Sequence, residues 1–137
     1  MAKMTTEQSE KFLALPNLAH FITLRADGSP HAAPVWYEFA DGRFHVFTPA
    51  TSVKLRNLGR DSRMTLSIAS PDQPYSYVVA SGRAEIMSGD IIGRAVSIAS
   101  RYEGLAGGVQ YIETLQTRFS VSVVAMAPIR MVGWVTD

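Results

Sequence analysis

The chain has 137 residues, of which 47% are apolar and 18% charged, so it has the composition of an ordinary globular protein and the length of a single domain, here residues 1–137. The formal net charge of +1 argues against the broad basic face that nucleic-acid binding needs. Because the sequence has no cysteine, no signal-peptide core and no run of roughly 18 apolar residues, it excludes disulfides and thiol chemistry and predicts a cytoplasmic protein without a membrane partner.

The first half of the chain predicts a short helix and then three antiparallel strands. The helix begins near Thr6 and ends at Pro16, which cannot continue it. Apolar and β-branched residues dominate the first strand, and turn-forming residues follow it at positions 26–30. Asp41 and Gly42 mark a second tight turn. The predicted strands span residues 18–24, 31–39 and 43–47.

The second half predicts three more strands and two longer helical segments. A short helix over residues 52–59 is followed by strands at 63–69 and 75–87, and Gly82 is a candidate bulge or point of close approach. Residues 90–102 have helical spacing of apolar residues, with Gly89 or Asp90 as the cap. This helix is broken by three glycines, Gly104, Gly107 and Gly108. A second helical piece follows at residues 109–119, and a sixth strand at residues 120–124.

Six closely spaced strands with few helices favour a mainly β, six-stranded antiparallel barrel with short flanking helices over a fold of alternating βαβ units. Small barrels fill their interior with side chains. A ligand is therefore expected on the outside or at an edge shared with a second subunit, which makes a homodimer the expected assembly.

The sequence lacks the common motifs of hydrolases and nucleotide-binding proteins. Its histidines, His20, His31 and His45, fall on three different predicted strands, and no serine occupies a recognisable nucleophile elbow. We therefore predict no metal site and assign no catalytic residue.

Residues 48–61, TPATSVKLRNLGRD, concentrate basic side chains in one short predicted helix. If Thr51 or Ser52 caps this helix, its free N–H groups and Lys54 form a site of the right size for a phosphate. Arg56 and Arg60 share one face, and Leu55 and Leu58 are spaced to pack inward. The alternative is a solvated amphipathic helix with a basic outer face, and the spacing alone favours this alternative, because charged exposed helices are common.

A second candidate is the segment Pro34-Val35-Trp36-Tyr37. Adjacent residues on a strand face opposite sides, so one aromatic ring can enter the core while the other lines a flat ligand or a subunit interface. Cross-strand packing alone is the alternative. Tyr75 and Tyr77 are two residues apart and extend one face of the fifth strand.

The order of these segments resembles the flavin and deazaflavin oxidoreductase superfamily, whose fold is the pyridoxamine 5'-phosphate oxidase-like split barrel. The resemblance covers about residues 17–130, and PVWYEF followed by SVKLRNL is most similar to the branch that uses the deazaflavin coenzyme F420. The segments that carry it are FITLRADGSPHAAPVWYEFADGRFHVFT, TSVKLRNLGRDSRMTLSI and DQPYSYVVASGRAEI.

This resemblance implies a Greek-key split barrel that forms a homodimer with a cofactor in a groove at the subunit interface. The segment from Phe47 to Asn57 would hold the cofactor phosphate, and the segment around Trp36 would border the ring. Tyr77 and Val78 would come from the other subunit. The implied cofactor-binding residues are Pro34, Val35, Trp36, Phe47, Thr48, Ser52, Lys54, Arg56, Asn57, Tyr77 and Val78.

The implied activity is hydride transfer from reduced coenzyme F420 to a conjugated small molecule, with FMN as the alternative cofactor. The cofactor does the redox chemistry, so no acid or nucleophile need be visible in the sequence. Arg56, Arg60 and Arg63 are positioned to attract the acidic tail of coenzyme F420. The alternatives are an FMN-dependent oxidoreductase, a non-catalytic flavin binder and an interaction module. Variable loops at 70–74 and 103–110 are the expected substrate contacts.

Overall fold

The computed structural model describes residues 1–136, and within them the chain forms eight strands and three helices. The expected mainly β, antiparallel architecture is confirmed. The elements in chain order are β1 (Ala2–Lys3), α1 (Thr6–Leu13), β2 (Ala19–Leu24), β3 (Pro30–Val35), β4 (Glu38–Ala40), β5 (Arg43–Pro49), α2 (Val53–Arg60), β6 (Arg63–Ala69), β7 (Ser76–Ile86), α3 (Ile91–Gln116) and β8 (Val121–Val135).

The strands form one curled sheet in the order β3-β2-β6-β7-β8-β5-β4, with β1 paired to β8. Strands β6, β7 and β8 lie side by side and β5 lies beside β8, which is a Greek-key order. The end strands β3 and β4 are joined by Trp36 and Tyr37 alone, a link that spans at most about 10 Å. The two edges of the sheet must therefore approach each other at this corner, as a split barrel requires.

The barrel interior is filled by side chains that alternate along the strands. In β2, for example, Ala19, Phe21 and Thr23 are buried, whereas His20 is exposed. The inward residues of the other strands complete one apolar cluster, with members that include Phe44, Leu66, Ile68, Val78 and Met126. Because this interior is packed, the barrel leaves ligands its outer surface and its corner.

Two strand boundaries differ from the prediction. The segment 31–39 is not one strand but two, because the chain turns the barrel corner at Trp36 and Tyr37. The last strand continues to Val135 rather than ending near residue 124. Pro128, inside this long strand, lies at a β-bulge where the register shifts, a place that tolerates proline.

Gly82 lies at the same bulge, as predicted. A Cβ built on Gly82 would lie 2.7 Å from the carbonyl oxygen of Ala127 and 2.9 Å from Sδ of Met126. The bulge shifts the register between Ser81 and Gly82 and leaves Ile129 outside the ladder. Only a residue without a side chain allows β7 and β8 to approach this closely.

Helix α3 is a helical hairpin rather than a short flanking helix. Asp90 caps it by accepting a hydrogen bond from the Gly93 N–H. Gly104, at φ 77° and ψ 166°, interrupts it and separates a first arm, residues 91–103, from a second arm, residues 105–116. The predicted break is therefore confirmed at Gly104, while Gly108 lies inside the second arm. There it packs directly against Ser100.

None of the helices within residues 1–136 is long and apolar enough to cross a membrane.

Candidate functional site

A groove of about 440 Å³ lies at the barrel corner, between β3, β5, the start of α2 and the second arm of α3. Six of the residues singled out from the sequence line this one groove. They come from two strands and a helix that are separated along the chain, so the fold rather than local sequence brings them together. They are Pro34, Val35, Trp36, Phe47, Thr48 and Lys54.

The apolar end of the groove is an aromatic cluster around Trp36. The indole stacks on Tyr102, with ring centroids 4.9 Å apart and planes 8° apart. Tyr111 contacts its ring at 4.8 Å, and Phe47 meets it edge-on at 6.2 Å. A rigid aromatic wall of this kind suits a flat ring system, because both surfaces are planar and neither has to be ordered on binding.

The Trp36 corner is fixed by hydrogen bonds to the hydroxyl of Tyr102. The Tyr37 N–H donates to this hydroxyl at 3.1 Å, and the hydroxyl donates to the carbonyl oxygen of Asn17 at 2.8 Å. Helix α3 thereby holds the link between the two sheet edges. Trp36 keeps its orientation because its backbone neighbour and its stacking partner are bonded to each other.

The side chain of Tyr37 points into the core, whereas that of Trp36 lines the groove. The two adjacent aromatic residues therefore face opposite sides, as expected. The Tyr37 hydroxyl lies 3.1 Å and 3.2 Å from the carbonyl oxygens of Leu13 and Leu15. Burial raises the pKa of this phenol to about 12, although the Arg101 guanidinium favours the anion. Arg101 donates to the carbonyl oxygens of Leu13, Leu15 and Tyr37 and so ties α3 to the end of α1.

A second polar contact attaches α3 to the barrel. Arg94 Nη1 donates to Glu38 Oε1 at 2.7 Å, and the Ser97 hydroxyl donates to Glu38 Oε2 at 2.8 Å. Both charged side chains are largely buried, so this pair is better shielded from solvent than a surface ion pair. The first arm of α3 is therefore anchored to β4, one residue beyond the aromatic corner.

The polar end of the groove lies at the start of α2. Ser52 caps the helix, accepting a hydrogen bond from the Leu55 N–H at 3.3 Å, which confirms the predicted cap. The remaining N–H groups of the first turn and the positive end of the helix dipole lie at this N-terminus. Arg56 is exposed one turn farther along the helix.

Two groups at this end have unmet bonding capacity. The Thr48 side chain is 2% exposed, and its Oγ1 has no hydrogen-bond partner within residues 1–136. Lys54 is half-buried and forms no ion pair with any residue that the structure describes; burial lowers the pKa of its ammonium group. Both residues line the groove, and an orphan hydroxyl together with an uncompensated cation in the first turn of a helix fits a bound phosphate.

Asn57 faces the barrel rather than this end of the groove. Its Nδ2 donates to Thr23 Oγ1 at 3.0 Å, and its Oδ1 accepts from Arg60 Nη2 at 2.7 Å. Leu58 is buried and Leu55 packs on the same core, as the spacing predicted. The side chain of Asn57 is therefore committed to anchoring α2 on β2. Of the cofactor-binding residues predicted on this helix, Ser52, Lys54 and Arg56 remain available to a ligand.

Tyr77 and Val78 lie away from the groove. Val78 is 0% exposed and belongs to the barrel core, so its side chain cannot line a groove on this subunit or on a partner. Tyr77 lies opposite Trp134 on the neighbouring strand and lines a separate surface depression of about 480 Å³. The role predicted for Tyr77 in a second subunit stays a prediction.

Five residues of the groove or of its wall were not identified from the sequence. Tyr111 and Leu115 come from the second arm of α3, Leu18 precedes β2, and Pro49 ends β5. Tyr102, which holds Trp36, was assigned only to a helix. The spacing of Tyr111 and Leu115, four apart on one helix face, was a usable signal, but the direction in which α3 folds back at Gly104 is not visible in the sequence.

The histidines lie on β2, β3 and β5, as predicted. Within the described part of the chain, no three or more His, Cys, Asp or Glu side chains are grouped so that they can hold a metal ion. His45 is buried, and burial lowers its pKa.

Comparison with solved structures supports this description of the fold. The conserved hypothetical protein Rv2991 from Mycobacterium tuberculosis is 26% identical, with a TM-score of 0.83 over 96% of this chain and 85% of its own. A structure described as an F420 reductase is 21% identical, with a TM-score of 0.71 over 89% and 94% of the two chains. An FAD-binding protein from Mesorhizobium loti is 16% identical, with a TM-score of 0.70 over 99% and 98%.

A search of curated protein sequences finds no match to this chain. The family model described as pyridoxamine 5'-phosphate oxidase matches residues 5–134, which include every element from α1 to α3 and nearly all of β8. The chain therefore belongs to the pyridoxamine 5'-phosphate oxidase family of split-barrel proteins.

Proposed function

We propose that the protein is a reductase that binds coenzyme F420 in the corner groove and reduces a conjugated small molecule. The observation that carries this proposal is that a single groove has an aromatic end and a polar, positively charged end. Trp36 offers a flat aromatic wall at one end, and the unpartnered Thr48 hydroxyl and Lys54 ammonium lie at the other. A flavin or deazaflavin has the same two parts, a tricyclic ring and a phosphate.

The bound cofactor would supply the hydride, and the acceptor would gain that hydride on carbon and a proton from water. The residues of this chain position the cofactor and shield it from water. Phe47 and Trp36 orient the ring, Lys54 and the first turn of α2 hold the phosphate, and the second arm of α3 restricts water at the groove. Because the cofactor would supply the hydride and water the proton, the reaction needs no acid or nucleophile from the protein. This agrees with the absence of hydrolase motifs from the sequence.

The choice of coenzyme F420 over FMN rests on the basic side chains of and after α2. Arg60 is bonded to Asn57, and Arg63 is paired with Asp61 at 2.7 Å, so both have protein partners. Arg56 is exposed and has no ion-pair partner among residues 1–136. The acidic tail of coenzyme F420, which FMN lacks, would therefore find its free cation at Arg56.

We also propose that the protein is a homodimer in which Tyr77 approaches the groove of the second subunit. The outer surface of β6, β7 and β8 supports this assembly. It carries the Tyr77 and Trp134 pair together with Ile129, which is exposed although apolar. Such an apolar sheet surface is typical of a subunit interface. Sedimentation equilibrium should give twice the chain mass; a monomer at all concentrations contradicts this assembly.

The cofactor assignment is tested by titrating the protein separately with coenzyme F420 and with FMN while following tryptophan fluorescence. Trp134→Phe leaves Trp36 as the reporter, because the sequence has two tryptophans. Quenching of Trp36 by coenzyme F420 at lower concentration than by FMN is the expected result. Tighter FMN binding would instead support the FMN-dependent alternative, and binding of neither would refute the proposal.

Lys54→Ala should weaken cofactor binding by about 1.5 to 3 kcal/mol, the usual contribution of a hydrogen bond to a charged group. Lys11→Ala is the matched control, since Lys11 is an exposed lysine on α1 and does not line the groove. Equal affinities of these two variants would refute the phosphate assignment. Turnover with a panel of enones and quinones then separates a reductase from a binder that does not catalyse, since only the reductase consumes them.

A further inference from the structure

A second groove, of about 530 Å³, lies on the second arm of α3 and the turn that follows it. It adjoins the corner groove, because Tyr111 and Leu115 line both. The two grooves are thus separated by one pair of side chains rather than by the barrel wall. A molecule in the second groove lies next to whatever occupies the first.

The lining of this second groove is organised in two rows. Tyr111, Leu115 and Phe119 are four residues apart and form an apolar row, and Gln110, Thr114 and Arg118 form a parallel polar row. The backbone N–H groups of Arg118 and Phe119 both reach the Leu115 carbonyl, which keeps the last residues of each row near the helix. A flat molecule lying along the groove therefore meets an apolar side and a hydrogen-bonding side.

The apolar row is unusually open to solvent. Tyr111 is 44% exposed and Phe119 is 42% exposed, although aromatic side chains gain most from burial. At the polar end, the Arg118 guanidinium has no ion pair or side-chain hydrogen bond with any residue in the described range 1–136. The groove thus combines uncovered aromatic surface with an unpaired cation.

We propose that this second groove is the acceptor subsite, and that it selects flat, conjugated molecules bearing a carboxylate or a similar anionic group. This inference rests on the proposed function: the anionic end is held in the second groove, and the conjugated end extends past Tyr111 and Leu115 into the corner groove, because hydride transfer requires direct contact with the cofactor ring. The anionic group pairs with Arg118, while the conjugated part lies on the apolar row. Glu103 also lines the groove, and its carboxylate repels an anion. The anionic group of the ligand is therefore directed to Arg118 rather than to other parts of the groove.

The test uses 2-naphthoate and its neutral analogue 2-naphthamide as probes, with affinities measured by calorimetry and sites by amide chemical shifts. The wild type should bind the anion about three- to tenfold more tightly than the amide, and Arg118→Gln should abolish that preference. Lys11→Gln, which removes one positive charge from α1, should keep it. Shift changes should centre on the amides of residues 110–119.

Equal binding of the two probes by the wild type, or an unchanged preference in Arg118→Gln, overturns the inference. Shifts elsewhere on the protein overturn it too, including the case in which a second subunit covers the apolar row. Titration of Arg118→Gln with coenzyme F420 keeps the two proposals apart, because Arg118 does not line the corner groove. If naphthoate binds as expected and no protein form binds the cofactor, then the proposed function fails and the anion selectivity of the groove stands.

Discussion

The indole of Trp36 and the phenol ring of Tyr102 stack nearly parallel, with their planes 8° apart. Tyr37, the neighbour of Trp36, is hydrogen-bonded to the same Tyr102, which is 65 positions away in the chain. Trp36 belongs to the link that closes the sheet, and Tyr102 belongs to the first arm of α3. This one contact therefore joins the barrel corner, the helical hairpin and the wall of the candidate cofactor groove. The stability of the fold and the shape of the groove depend on the same pair.

Replacement of Tyr102 should separate its two contributions. Tyr102→Phe keeps the ring but removes the hydroxyl that bonds Tyr37 and Asn17, and should lower the free energy of unfolding by about 1 to 2 kcal/mol. Tyr102→Ala also removes the stack, and should cost about 3 kcal/mol or more and shift Trp36 emission to the red. Urea unfolding of the two variants in the Trp134→Phe background measures both effects. No loss in Tyr102→Phe would contradict a role for the hydroxyl, and identical losses for the two variants would contradict a separate contribution of the stack.

Two glycines should respond to alanine in opposite directions. Gly82→Ala forces a Cβ against the Ala127 carbonyl and Met126 at the bulge, and should destabilise the protein by about 1 to 3 kcal/mol. Gly59, in the last turn of α2, has open space around its Cβ position, so Gly59→Ala should stabilise by up to about 1 kcal/mol. Thermal unfolding of the two variants gives the signs directly, and a stabilising Gly82→Ala would refute the close-approach explanation.

The fold was largely predictable because most of its strands alternate buried and exposed residues between strong turn signals. The split at Trp36 and Tyr37 and the extension of β8 past Pro128 were not predictable, since both depend on which strands become neighbours. Local sequence reports whether a segment can be extended. It does not report that a bulge will accept a proline, or that a sheet will close at a given pair of residues.

For the candidate site, residues on the consecutive elements from β3 to α2 were assigned more successfully than residues on α3, which comes later in the chain. Trp36, Thr48 and Lys54 do converge on one groove, because short loops connect their elements. Tyr111 and Leu115 arrive there only because α3 folds back at Gly104 and Gly108 packs against Ser100. Tertiary contacts of that kind leave no periodic trace in the sequence.

Asn57 and Arg56 are adjacent on α2 but should behave differently on replacement. Asn57→Ala leaves the fully buried Thr23 hydroxyl without its donor, and should lower the free energy of unfolding by about 1 to 3 kcal/mol. The Arg56 side chain has no ion-pair partner among residues 1–136, so Arg56→Ala should change stability by less than about 0.5 kcal/mol. In cofactor titrations, Arg56→Ala should weaken binding of coenzyme F420 more than binding of FMN, and an equal loss for both would count against the tail contact.

Alkaline pH should reveal Tyr37. Burial raises its pKa from 10.0 to about 12, so between these values the unfolded chain releases the phenolic proton while the folded protein retains it. The unfolded state then binds fewer protons, and the free energy of unfolding falls as pH rises, by roughly 1 kcal/mol per pH unit within this window. Burial lowers the pKa of Lys54 from its ordinary value of 10.5, so Lys54 makes the free energy of unfolding rise with pH, but only below that ordinary value. The upper part of the window therefore shows the effect of the phenol without that of Lys54.

Urea unfolding at a series of pH values should therefore show a steep loss of stability in wild type above about pH 10.5 and a shallower loss in Tyr37→Phe. The remaining slope of that variant includes Tyr102, whose pKa burial also raises. Tyr75→Phe, at an exposed tyrosine, is the control and should follow the wild-type curve. Parallel curves for wild type and Tyr37→Phe would mean that the phenol ionises freely in the folded protein, and that the Leu13 and Leu15 carbonyls do not hold its proton.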